Sequence, residues 1–188
     1  MKTHKTFLCL LFVISYYASK AQQASDTSHP LPAQKGSHRL TLGLGHTHLS
    51  QGEIEGRTEW LPIASWTLNY DYWLSNKWAI GLQNDLIMET FIVKHDDDQE
   101  LERKNPWAMV PVAMYKFGKH LTAIGGVGAE FSQGHTLALT RIGFEYGWHL
   151  PNHFEAGLAA VWDNKWGYYN SWGLAFTFSK IWPRRQQP

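Results

Sequence analysis

From Ser37 onward the chain alternates apolar and polar side chains at a period of two, and no helical period competes with that pattern. Eight alternating blocks stand at roughly 38–48, 60–73, 78–91, 106–117, 121–132, 136–148, 154–162 and 171–182, and each is expected to form a strand. The connections after the second, fourth and sixth blocks are short turns: Leu74-Ser75-Asn76-Lys77, Gly118-Lys119-His120 and His149 to His153. Those after the first, third and seventh are longer and more polar, notably HDDDQELERKN from His95. The short connection Gln133-Gly134-His135 breaks the rule. Long loops alternating with tight turns predict an all-β fold, an eight-stranded antiparallel up-and-down barrel with two unequal ends.

Period two alone does not separate a soluble barrel from a transmembrane one; the content of the two faces does. In the last block Trp172, Leu174, Phe176 and Phe178 oppose Ser171, Gly173, Ala175, Thr177 and Ser179. In the sixth, Ile142, Phe144, Tyr146 and Trp148 oppose Arg141, Gly143, Glu145 and Gly147, and the fifth and seventh set Glu130 and Glu155 among glycines in the same way. A soluble barrel would bury the aromatic face and show the glycine face to water, where glycine weakens a strand and gains nothing. A narrow membrane barrel needs small residues inside, because inward side chains share little space and any charge there must find a partner. The aromatic face is therefore read as lipid-facing.

Nine of the ten tryptophans fit that reading. Trp73, Trp78, Trp148 and Trp182 flank the short turns or the final strand, while Trp60, Trp107, Trp162, Trp166 and Trp172 flank the long loops. Two rings of indoles at the two ends are expected as girdles, each with its body in lipid and its N–H in water.

With those features assembled, the chain resembles the small outer-membrane β-barrels, the OmpA/OmpX-like and opacity-type proteins, over residues 38 to 182. The closing GLAFTFSKIW is similar to the terminal aromatic strand that the outer-membrane assembly machinery recognises. The resemblance implies a porin-like monomer in the cell outer membrane, in contact with phospholipid and lipopolysaccharide, with a structural or surface-interaction role. Two departures stand out. PRRQQP (183–188) follows Trp182 as a short polar tail, and Pro62 and Pro111 fall inside expected strands. Proline lacks the N–H a closed ladder requires, so a bulge or a shifted boundary is expected near Pro111.

The N-terminus supports the compartment. Lys2 and Lys5 precede an apolar run from Thr6 to Ala18, too short to span a bilayer, and residues 1–21 are expected to be a signal peptide cut after Ala21. Residues 22–37, with two prolines, are expected to be a flexible periplasmic lead-in. Cys9, the only cysteine, lies within the leader, so no disulfide or cysteine metal ligand is expected in the mature chain. Of 17 Lys and Arg, removing Lys2, Lys5 and Lys20 leaves 14 against 16 Asp and Glu, a balance that gives no reason to expect nucleic-acid binding.

Candidate chemistry is sparse. GHTHLSQG (45–52) places His46 and His48 on one face of a strand, about 7 Å apart at ~3.3 Å per residue. One pair is short of the three or four ligands zinc requires, so no metal and no cofactor are expected. His48 and Ser50, two apart and on the lipid side, are similar in spacing to the pair in lipid A 3-O-deacylase, a barrel enzyme of the outer membrane. On that resemblance Glu53, Glu55 or Glu59 would orient the imidazole, but the family carries its pair on a late strand and here it closes the first. No catalysis is expected; the alternatives are such a lipid-modifying hydrolase or a soluble periplasmic ligand-binding barrel. Asp96, Asp97 and Asp98 are read as part of a solvated loop. Asp71, Asp85, Glu89, Glu130, Arg141, Glu145 and Glu155 are assigned to the lumen, with Lys116 a further candidate base, giving an apparent surplus of acid. The expectation is an internal polar core that seals the barrel, against a narrow cation-leaning pore.

Overall fold

A computed structural model describes residues 35–54, 57–94 and 100–184, the side chains of 51–54, 57–59 and 94 excepted. The expected signal peptide and all but the last three residues of the lead-in lie outside the described residues, as do Glu55, Asp96 to Asp98 and most of the tail.

Ten strands are present among the described residues. β1 (His38–Ile54), β2 (Arg57–Trp73) and β3 (Trp78–Ile87) are followed by the short pair β4 (Thr90–Lys94) and β5 (Glu100–Lys104). β6 (Trp107–Phe117), β7 (Leu121–Phe131), β8 (Thr136–Leu150), β9 (Phe154–Lys165) and β10 (Tyr169–Trp182) complete the chain. Eight of them close into a barrel in the order β1-β10-β9-β8-β7-β6-β3-β2, and β4 and β5 form a separate two-stranded sheet. The first and last strands are joined antiparallel from His38 opposite Trp182 to Leu49 opposite Ser171, so the barrel has no free edge. The end carrying residues 74–77, 118–120 and 151–153 is the turn end below; the opposite end, carrying β4 and β5, is the loop end.

The faces sort as the alternation requires. Leu40, Leu42 and Leu44 on β1, Ile142 and Phe144 on β8, and Leu174, Phe176 and Phe178 on β10 are exposed on the outside. Arg39, Thr41, Gln83, Glu130, Arg141, Glu145 and Glu155 are buried inside. An apolar wall around a polar, charged interior is the polarity of a membrane barrel and the reverse of a soluble one.

Four expectations change. The block at 78–91 ends at Ile87 as a wall strand, and Phe91 and Val93 instead turn inward on the small hairpin. The HDDDQELERKN connection is therefore not simply a solvated loop, since its residues 100–104 form β5. No bulge forms at Pro111: β6 pairs with β7 as Met109 with Ala129 and again as Val112 with Gly126, the same register on either side of an unpaired step. Gly126 and Gly128 allow this, because a Cβ on either would fall within 2.3 Å of the Pro111 and Met109 carbonyl oxygens. The register shift lies between β1 and β2, after Ser50. Finally, the lead-in is fixed at its end: the Gly36 N–H donates to the Trp73 carbonyl at 2.7 Å and the Trp73 N–H to Ser37 at 3.0 Å.

Candidate functional site

The interior holds two layers of paired charge. Near the turn end, β1 projects Arg39 inward because the leucines at 40, 42 and 44 occupy the lipid side. Its guanidinium grips Glu145 of β8 with two parallel bonds of 2.7 and 2.9 Å, donates from Nε to Asp71 of β2 at 2.8 Å, and reaches Glu155 of β9 at 2.9 Å. One cation thus serves three carboxylates from three strands, with His149 Nε2 3.4 Å from the far oxygen of Glu155. Glycines make the room. A Cβ on Gly81 would fall 2.2 Å from an Asp71 oxygen, and one on Gly147 would fall 2.7 Å from the Glu155 carboxyl carbon.

Toward the loop end Arg141 of β8 binds Asp163 of β9 through Nε and Nη2 at 2.7 Å each; Nη2 also lies 2.5 Å from Asp85, and Nη1 donates to Gln83 at 3.2 Å. Lys165 approaches Asp163 at 3.4 Å and Glu130 at 3.7 Å, and donates to the Ser171 hydroxyl. A cavity of about 50 Å³ adjoins both layers, walled by Thr47, Ser65, Thr67, Gln83 and Thr177. That is room for roughly three to five waters at ~10–15 Å³ each.

The β4–β5 hairpin closes the loop end. Phe91 and Val93 pack with Leu49, Ile63, Ile87, Leu137 and Tyr169, an apolar plug drawn from five barrel strands and the hairpin. Beneath it Arg103 of β5 is fully buried and donates to Glu130 of β7 at 2.7 and 3.0 Å and to the His135 carbonyl at 2.8 Å. Glu130 also accepts from the Tyr169 hydroxyl at 2.6 Å. Lys104 and Ser132 exchange two further bonds across to the β7–β8 connection. A hairpin of two strands is marginal alone, so this one is held by what it docks on.

Of the residues assigned to the lumen, Asp71, Asp85, Glu130, Arg141, Glu145 and Glu155 face inward and Lys116 lies buried among them. Glu89 does not: it is exposed between β3 and β4, because β3 ends at Ile87. The apparent acid surplus also shrinks, to six acids against five bases among the described residues. Arg39, Arg103 and Lys165 join Arg141 and Lys116 inside, with Asp163 as a further acid. Arg39 was legible from the parity of the first block, and Asp163 and Lys165 from carrying the seventh block three residues further. Nothing in the sequence pattern points Arg103 into the barrel.

Among the tryptophans, Trp78, Trp148 and Trp182 are exposed at the turn end and Trp60, Trp107, Trp162 and Trp172 at the loop end. Trp73 is a correction: it is 1% exposed and faces the lumen, packed with Ala79, Val112 and Met114, with the Lys116 ammonium 5.5 Å from its ring centre. The parity that puts Asp71 inside puts Trp73 inside with it.

At the outer rim His46 faces out and is exposed, while the His48 ring lies flat on Trp172, its cross-strand neighbour on β10, at 3.8 Å between centroids and 1° between planes. The side chain of Glu53 lies outside the described residues. Among the described residues no group of three or more His, Cys, Asp or Glu is placed to hold a metal ion.

No protein-family model and no curated protein matches the chain. Solved structures do. Ail, the attachment invasion locus protein of Yersinia pestis, superposes with a TM-score of 0.52 at 12% identity, over 78% of this chain and 99% of that one. Neisserial surface protein A gives 0.57 at 9% identity over 78% and 99%, and OprG from Pseudomonas aeruginosa 0.51 at 12% over 81% and 99%. The chain has the fold of these small eight-stranded outer-membrane barrels.

Proposed function

We propose that the protein is a monomeric, non-conducting barrel of the outer membrane that acts structurally and as a surface-interaction protein through its loop end. The observation that carries this is the docked β4–β5 hairpin over a charge-paired lumen: the interior is occupied, and the described part of the loop end is capped by that hairpin. The turn end faces the periplasm on this reading, and the apolar belt lies in lipid. Closure of β1 on β10 leaves the barrel wall no free edge for a second copy, which supports a monomer. The attachment and surface roles named for Ail and the Neisserial protein belong to those proteins and agree with this reading. Phospholipid, lipopolysaccharide and, through β10, the assembly machinery are its expected partners.

The test is twofold. Protein recovered from outer membranes in detergent, with heat-modifiable gel migration, should give no stable conductance steps in planar bilayers. Regular steps would overturn the sealed lumen, and extraction in buffer alone would overturn the membrane barrel. His48 is stacked on Trp172, and no hydrogen bond or ion pair joins it to Ser50 among the described residues.

A further inference from the structure

The two ends differ in the sign of their exposed charge. Among the described residues Glu89, Glu100 and Glu102 are exposed at the loop end beside Lys104, an excess of acid. At the turn end Lys35, Lys77, Lys119 and Arg184 are exposed and Lys180 half-exposed, and no acidic side chain is exposed there among the described residues. The acids nearest that end, Asp71, Glu145 and Glu155, are buried and held by Arg39.

Lys180, Arg184 and Lys35 stand along the rim of β10, β1 and β2, with the head of Lys180 turned toward the β8–β9 connection. Register sets Trp182 beside His38 and His38 beside Tyr72, and one step further in, Lys180 beside Leu40 and Leu40 beside Tyr70, all on the lipid face. His38 Nδ1 lies 2.6 Å from the Tyr70 hydroxyl and its ring 5.0 Å from that of Tyr72. Lys180 starts from this face and bends toward the turn end: its ammonium sits 4.1 Å from the Phe154 ring centre and donates to the Asn152 carbonyl at 2.6 Å. Arg184 lies over Gly36, and the Lys35 N–H meets Asn76, which brings Lys35 and Lys77 to the same rim. A lysine rooted among lipid-facing aromatics with its head at the interface is placed where a headgroup phosphate lies.

We propose that this rim is a binding surface for an anionic phospholipid of the leaflet that meets the turn end, with Lys180, Arg184 and Lys35 spread along its headgroup level and His38, Tyr70 and Tyr72 as polar and aromatic contacts beside them. The proposal rests on the outer-membrane reading, because it requires the turn end to meet a phospholipid leaflet. Charge complementarity selects the partner, each basic group near an anionic surface contributing about fivefold in affinity.

The test is native mass spectrometry of the full detergent-purified chain with phosphatidylglycerol or phosphatidylcholine added. The wild type should retain phosphatidylglycerol at least tenfold better, and K180Q/R184Q should lose most of that preference while keeping its heat-modifiable migration, since both side chains are outside the barrel. Equal retention of the two lipids by the wild type, or a preference untouched in K180Q/R184Q, would overturn the proposal. K77Q/K119Q, which removes two turn-end charges but only one near this rim, should keep most of the preference; a loss as large as in K180Q/R184Q would overturn the assignment to this rim. Failure of the membrane reading would show earlier and separately, as a chain that needs no detergent.

Discussion

The docking of the hairpin can be tested with Arg103→Met, which keeps the aliphatic stem and removes the guanidinium. Two kinds of contact hold β4–β5 in place. Burying Phe91 and Val93 contributes about 1.5–3 kcal/mol each. Breaking a buried ion pair from one side costs about 3–5 kcal/mol, largely because the surviving charge is left uncompensated. Here the low end applies, since Glu130 keeps the Tyr169 hydroxyl at 2.6 Å and the Lys165 ammonium at 3.7 Å. A loss of about 3 kcal/mol corresponds to roughly a hundredfold rise in the population of the undocked hairpin. Hydrogen exchange in detergent micelles should show that rise at residues 90–94 and 100–104, with β8, β9 and β10 nearly unchanged. Adding Glu130→Gln to Arg103→Met should cost less than the sum of the two single changes, because the unpaired acid is gone. Unchanged protection in the hairpin, or equal loss throughout the barrel, would refute docking through this pair.

Other outcomes follow from the same geometry. Arg39→Met leaves Asp71, Glu145 and Glu155 facing one another without their cation, and should lower barrel stability by about 3–5 kcal/mol, read as an earlier urea midpoint in lipid vesicles. Gly81→Ala drives a methyl into the Asp71 carboxylate and should cost about 1–3 kcal/mol in the same titration, whereas Gly118→Ala, with open space but a φ of +67°, should cost only its backbone strain. Trp73→Ala, which empties an inward site, should destabilise by about 3–5 kcal/mol, well beyond Trp78→Ala on the exposed rim. Ser50→Ala should leave the acylation of lipid A unchanged by mass spectrometry of cells producing the protein.

The barrel was legible in the sequence because alternation and turn chemistry are local. His38, where the first wall strand begins, and Trp182, where the last ends, are the expected limits of the barrel, and the lipid-facing rows follow from parity alone. Ion pairing is not local. Arg39 finds partners 106 and 116 residues away, and only closure of the wall brings them within 3 Å. Trp73 was misassigned because closeness to a turn was read in place of parity, which the neighbouring Asp71 already fixed. Arg103 was hidden for a different reason. It lies on a hairpin outside the wall, and the direction of such an excursion depends on tertiary docking rather than on any repeat along the chain.

The Arg39 layer also bears on how the molecule can be assembled. Its four side chains come from β1, β2, β8 and β9, and β10 lies between β9 and β1, so until β10 joins both edges Glu145 and Glu155 stand apart from Arg39. In a low-dielectric setting such a charge is expensive, and the expense ends only when the ring shuts. The lumen therefore acts as a completeness check on the chain: intermediates with strands missing are penalised electrostatically, and the last strand to arrive removes the penalty in a single step.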